Sequence, residues 1–147
     1  MSYRINSAFS VAVASTVIPL VKLQLVTLES RENACVIQVK FLDLTLPQYW
    51  LPRYDWVLSM EVLEHIPAEF EVIALDNIDR ATGHGVVLSW ATLYQKGFHH
   101  VNNRSPAYVN QTMFNRGFRI DLSASRTLRN AATVPWLRKN LRVYIRK

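Results

Sequence analysis

Apolar and polar positions divide the chain into alternating strand-like and helix-like stretches. Residues 8–26 are almost all apolar or small, broken by Pro19, Lys22 and Gln24. This stretch predicts a helix or a strand pair packed on a domain core. A targeting segment is the other reading, with Ala12-Val13-Ala14 as a small-residue cleavage pattern. A spanning helix is disfavoured, because about 20 unbroken apolar residues are needed and Pro19 and Lys22 interrupt the run. The β-branched run 35–41 predicts a strand leading to Asp43, and the apolar run 54–60 predicts a central buried strand. Between them, Pro47, Tyr49, Trp50 and Pro52 mark a loop. After a second loop at 61–67, Pro67, Glu69 and Glu71 suit a helix N-terminus. Phe70, Ile73, Ala74, Asn77 and Ile78 then follow at helical spacing on one face. Residues 82–85 read as the end of that helix and 85–90 as the next buried strand; 94–104 form a long polar and aromatic loop. Ser105-Pro106 opens a helix that Gly117 stops. Residues 118–122 and 141–145 read as strands, and 125–132 as a short helix. Strands alternating with helices predict one α/β domain with a mostly parallel sheet.

Composition narrows this picture. A chain of 147 residues accommodates one ordinary domain, and 50% hydrophobic with 19% charged residues excludes a disordered tail or a polytopic membrane protein. Cys35 is the lone cysteine, so no intrachain disulfide forms and a cysteine-based zinc site is disfavoured. The four glycines, Gly83, Gly85, Gly97 and Gly117, leave no Gly-rich phosphate loop. The net charge of +6 is uneven: residues 116–147 carry nine Lys or Arg against one acid, Asp121, whereas 55–79 hold seven acids and no Lys or Arg. A basic C-terminus attracts nucleic acid or an anionic surface, or is simply a solvated helix and edge strand. No nucleic-acid-binding signature accompanies it, so nucleic acid is the minor reading.

The stretch Tyr54-Asp55-Trp56-Val57-Leu58-Ser59-Met60-Glu61-Val62-Leu63-Glu64-His65-Ile66-Pro67 resembles the fourth-strand motif of class I S-adenosylmethionine-dependent methyltransferases. Gly85-Val86-Val87-Leu88-Ser89-Trp90-Ala91 looks like the family's following strand, and the likeness runs from about Val36 to Lys147. The resemblance implies a Rossmann-like methyltransferase sheet over residues 29–147. Residues 1–28 would be a replaced or truncated apolar front, because the family's glycine-rich turn after its first strand has no counterpart. The sheet is therefore expected to be incomplete at its N-terminal part, leaving an exposed edge for a protein partner.

The same resemblance assigns site residues. Asp43 takes the place of the acid that accepts a hydrogen bond from the adenine amino group, with Leu44 against the adenine face; a turn cap is the alternative for Asp43. Ser59, Met60 and Glu61 line the cofactor pocket at the carboxyl ends of the strands, and Glu29 stands for the acid on the ribose hydroxyls. His65 reads as a general base or as a structural tie between loop and helix. His100 is a second catalytic candidate, while His99 and Asn102, on the loop after the fifth strand, are candidate substrate contacts. A metal site of His65, His99 and His100 is disfavoured because adjacent histidines do not readily share one ion, so no metal is expected. S-adenosylmethionine is the implied cofactor, held weakly without the glycine loop. The implied function is an S-adenosylmethionine-dependent methyltransferase-like protein with a small-molecule or protein acceptor. The alternative is an inactive binding or structural subunit of the same fold. The expected location is cytoplasmic, or secretory or mitochondrial if residues 1–26 are a targeting segment.

Overall fold

A computed structural model of the chain describes residues 9–15, 22–31 and 34–147, with side-chain surroundings from residue 41 onward. Its strands are β1 (Phe9–Ser15), β2 (Lys22–Arg31), β3 (Ala34–Leu42), β4 (Tyr54–Met60), β5 (Thr82–Leu88), β6 (Phe118–Asp121) and β7 (Arg142–Arg146). They form a seven-stranded sheet in the order β3-β2-β1-β4-β5-β7-β6. β1, β4 and β5 run parallel, while β7 enters antiparallel between β5 and β6. The helices are α1 (Glu71–Ala81), α2 (Pro106–Asn115), α3 (Leu122–Ala131) and the short α4 (Leu137–Asn140). Two 3₁₀ turns, Leu63–His65 and Ala68–Phe70, precede α1. The α/β class expected from the hydrophobic pattern is the class that forms.

The front of the sheet departs in strand direction from the mostly parallel sheet expected from the alternation of strands and helices. β2 pairs antiparallel with both β1 and β3, with Ala12 opposite Leu25 and Val26 opposite Val39. A parallel crossover needs a dozen or more residues, usually a helix. Only residues 16–21 separate β1 from β2 and 32–33 separate β2 from β3, and those connections, with residues 1–8, lie outside the described residues. β1 occupies the flank of β4, with Val13 opposite Met60. The edge anticipated from an absent first strand is therefore not at β4, and the outer strands are β3 and β6. Among the described residues no helix is long and apolar enough to cross a membrane.

Around β4 and β5 the core gathers Val57, Leu63, Ile66, Ala74, Leu75, Val86, Leu88 and Trp90. Ala74, Leu75, Ile78 and Ala81 form the buried face of α1; Ala74 and Ile78 belong to the stripe the spacing predicts, whereas Phe70 lies before the helix and is exposed, and Ile73 is half-buried. Asn77 lies on that face too, but as an anchor for the loop after β3. Its Nδ2 donates to the carbonyls of Leu44 (3.2 Å) and Leu46 (2.8 Å), and its Oδ1 accepts from the Gln48 amide (2.8 Å). A loop that runs beneath a helix otherwise buries unpaired backbone groups, and a single amide side chain satisfies three of them.

β5 starts at Thr82, earlier than the glycines suggested. The Thr82 hydroxyl donates to the Ile78 carbonyl (2.7 Å), closing the last turn of α1, and its own carbonyl accepts from Arg53 (3.1 Å) and Arg146 (2.7 Å). With its end groups paired, the chain becomes extended at once.

Gly117 ends α2 with φ of +83° and open space around the position of a Cβ. The requirement there is conformational. Gly117→Ala should cost about 1 kcal/mol in chemical denaturation, and Gly117→Asn less. An unchanged midpoint for the alanine variant would show that the left-handed turn is dispensable.

Candidate functional site

The carboxyl ends of β4 and β5 are stitched by two serines. The Ser89 amide donates to the Ser59 carbonyl (3.0 Å), and the Glu61 amide donates to Ser89 Oγ (2.7 Å). Glu61 sits in the left-handed region with φ of 53°, a conformation that costs a non-glycine residue energy and is met disproportionately at functional sites. It is held there from three directions. Its carboxylate accepts from Gln95 (Oε2, 3.1 Å) and from Asn140 at the end of α4 (Oε1, 3.0 Å).

Immediately beyond this bend the chain turns inward. Val62, Leu63, Glu64 and Ile66 are at most 1% exposed, so the acidic Glu64 is enclosed in the interior with its apolar chain neighbours. Neither of its carboxyl oxygens makes a well-formed hydrogen bond among the described residues, although the backbone at Glu64 and Ala91 and the Glu61 carboxyl lie close enough to act on it. Burial, with the nearby Glu61 charge adding to it, pushes its carboxyl up to about 8. The Glu64 carbonyl, by contrast, is doubly engaged: it accepts from the amides of Val101 (2.9 Å) and Asn102 (3.0 Å).

That double contact delivers the histidine loop. His65 Nδ1 lies 3.1 Å from the His99 carbonyl and His100 Nδ1 3.2 Å from the Gln95 carbonyl. A carbonyl only accepts, so each ring donates from Nδ1, and in the neutral imidazole the lone pair then lies on Nε2. The rings meet edge to face, centroids 5.0 Å apart. One ligand atom each from Glu64, His65 and His100 lie within 4.8 Å of one another. Burial, with His100 nearby, holds the His65 imidazole below its ordinary range despite the pull of the His99 carbonyl. His99 itself is turned away at φ of 54°, its ring 4.0 Å from that of Phe98. The cluster is thus not the His65, His99, His100 set weighed from sequence; Glu64 takes the place of His99.

A second network fixes the loop from the α1 side. Glu71, buried in the first turn of α1, accepts from Asn102 (3.0 Å), from Arg104 through Nε (2.8 Å) and Nη2 (2.7 Å), and from the Tyr108 hydroxyl (2.5 Å). Asn102 is therefore committed to structure. It is 3% exposed, its side chain faces Glu71, and its carbonyl accepts the Trp90 indole N–H (2.7 Å), so it is not a substrate contact.

The remaining expectations divide. Asp43 lies at the carboxyl end of β3, with Oδ1 accepting from the Thr45 amide (2.8 Å) and hydroxyl (2.6 Å), which is the turn-cap arrangement. Leu44 is 2% exposed and belongs to the core, which leaves no face for a ring to lie on. Ser59 is fully buried, its Oγ unpaired among the described residues, and Met60 is half-buried. Glu29 pairs with Val36 near the start of β3; because β2 runs antiparallel, it stands at the opposite end of the sheet from Asp43 and Glu61, and its side chain lies outside the described residues. Asp43 and Glu61 share one end of the sheet but are three strands apart, roughly 14 Å at ordinary strand spacing. Gln95, Asn140 and Glu71 escaped the sequence reading. Asn140 reaches Glu61 across 79 residues, and no local pattern announces such a contact.

The chain is similar in fold to magnesium protoporphyrin IX methyltransferase from Synechocystis PCC 6803. The match to the form with bound SAH has a TM-score of 0.49 at 16% identity, and the match to the form with bound SAM has 0.49 at 18%. Each covers 72% of this chain but only 49% and 44% of the other, so the chain spans less than half the length of those structures. No family model and no curated protein matches it by sequence.

Glu71 yields a pH prediction. Burial alone would raise its carboxyl, but the hydrogen bonds from Tyr108, Asn102 and Arg104 outweigh it and hold the group below its ordinary value of 4.5. With the folded value below the unfolded one, its contribution is present above 4.5 and is lost as pH falls through the folded value. Glu71→Gln should lower stability at neutral pH by about 1–3 kcal/mol and flatten the acid limb of a plot of denaturation midpoint against pH. An acid limb as steep as that of the unaltered protein would assign it to other carboxylates.

Proposed function

We propose that the chain is an S-adenosylmethionine-dependent methyltransferase-like protein, its acceptor a small molecule or a protein. One observation carries this reading. The motif at residues 54–67 occupies a central strand, a left-handed bend at Glu61 and a helix entry, at the carboxyl ends of the parallel strands β1, β4 and β5. Open α/β sheets bind ligands at that edge.

The residues present fit one end of the cofactor better than the other. Asp43 stands at the carboxyl end of β3, and among the described residues its Oδ2 has no partner, so it can accept from an exocyclic amine. At the end of β4 the Glu61 and Gln95 side chains add polar groups. The methionine end lacks its usual cradle. No glycine precedes Gly83, and β1 leads into an antiparallel strand where a helix N-terminus would offer backbone amides. Losing several such hydrogen bonds, at about 0.5–1.5 kcal/mol net each, leaves an affinity of about millimolar order.

Calorimetric titration of the full chain with S-adenosylmethionine, and separately with its demethylated product, tests the proposal. Both should bind weakly, and Asp43→Ala should weaken them by about fivefold or more while circular dichroism remains unchanged. No heat at millimolar ligand would defeat the reading and favour the inactive binding or structural subunit.

A further inference from the structure

We infer that Glu64, His65 and His100 form a binding site for a divalent first-row transition cation. The inference is independent of the proposed methyl transfer and rests on three observations.

The first is the state of Glu64. An acid at 0% exposure, with neither oxygen in a well-formed hydrogen bond and a second carboxyl, that of Glu61, beside it, is an arrangement native interiors avoid unless the group is neutralised by a proton or a cation. The second is what faces it. One donor atom from each of the three residues falls within 4.8 Å of the others, whereas the ligands of a tetrahedral ion with bonds of about 2.0–2.1 Å stand roughly 3.3 Å apart. A contraction of about 1.5 Å at most is needed, and His100 supplies it from a half-buried loop position. The third is the preparation of the rings. Both imidazoles give their Nδ1 proton to a backbone carbonyl, His65 to His99 and His100 to Gln95. That is the outer contact by which ligating histidines are oriented and their other nitrogen made more basic.

Two imidazoles and one carboxylate suit zinc, iron(II), cobalt(II) or nickel(II) better than the oxygen-seeking calcium or magnesium ions. The Glu64 charge, with Glu61 close by, balances the ion. Entry is open. An exposed groove of about 720 Å³, formed by residues 93–97 with Asn103, has His100 in its wall. Gly97 is part of the device, because a Cβ there would collide with the His100 imidazole. Three protein ligands leave a coordination position for a further oxygen or nitrogen group.

The test is titration of chelator-treated full-length protein with zinc ions against a chromophoric competitor, with the visible spectrum of the cobalt(II) form as a second readout. One equivalent should bind, and a protein-ligated cobalt spectrum should appear. His100→Ala and Gly97→Ala should each weaken binding about tenfold or more, the latter without removing a donor, and Glu64→Gln should do the same. His84→Ala, on the exposed start of β5, should bind as the unaltered chain does. Should Glu64→Gln fail to fold, the two loop variants decide. Absence of stoichiometric binding would overturn the site and leave Glu64 as a protonated acid shared with Glu61. A loss with His84→Ala equal to that with His100→Ala would also overturn the assignment.

Discussion

The Glu64 carbonyl takes two amides, those of Val101 and Asn102, and much of this molecule follows from that contact. It belongs to a tight 3₁₀ turn directly after the central strand, so it cannot move without disturbing the core through Leu63 and Ile66. The loop after β5 is thereby brought against the turn after β4, and the four residues from His99 to Asn102 acquire fixed tasks. His99 supplies a carbonyl, His100 a ring, Val101 an amide, and Asn102 ties the assembly to α1. The same geometry strands the Glu64 side chain in the interior. An acid there is a cost that a purely structural turn would avoid by carrying an apolar residue.

Gln95 is the counterpart on the loop side. Its carbonyl accepts from His100 and Asn103, and its amide side chain spans Glu61 and Asn140. Through it, the strained bend at Glu61, the histidine loop and the short helix before β7 become one polar unit. Such networks hold a unique arrangement when their members are satisfied; among the described residues the Asn103 and Asn140 Oδ1 atoms and the Glu64 carboxyl oxygens are buried polar atoms around it left without a hydrogen bond.

How much was legible can be stated residue by residue. The run 54–60, the helix from Glu71, the Ser105-Pro106 start and the Gly117 stop were legible because each follows from local rules: burial of apolar side chains, capping, and the freedom of glycine at positive φ. Of the two readings of Asp43, the turn cap is the one whose contacts, at Thr45, are present. Leu44, Glu29 and Asn102 stand where local pattern gives no warning: Leu44 in the core, Glu29 on a strand whose direction sets it at the far end of the sheet, and Asn102 in a buried network with Glu71.

Alone, the sequence determined the α/β class, the central strand with its acidic and histidine-bearing turn, and the absence of a glycine cradle at the front. These are properties of periodicity and residue type, and they survive any arrangement of neighbours. Only tertiary structure decided that the front forms an antiparallel meander. The choice between a crossover and a return strand depends on where the next strand finds hydrogen-bonding partners. Only tertiary structure, too, placed Glu64 and not His99 beside His65 and His100. Adjacent residues on a loop point apart, and which of them faces inward is set by contacts made tens of residues away.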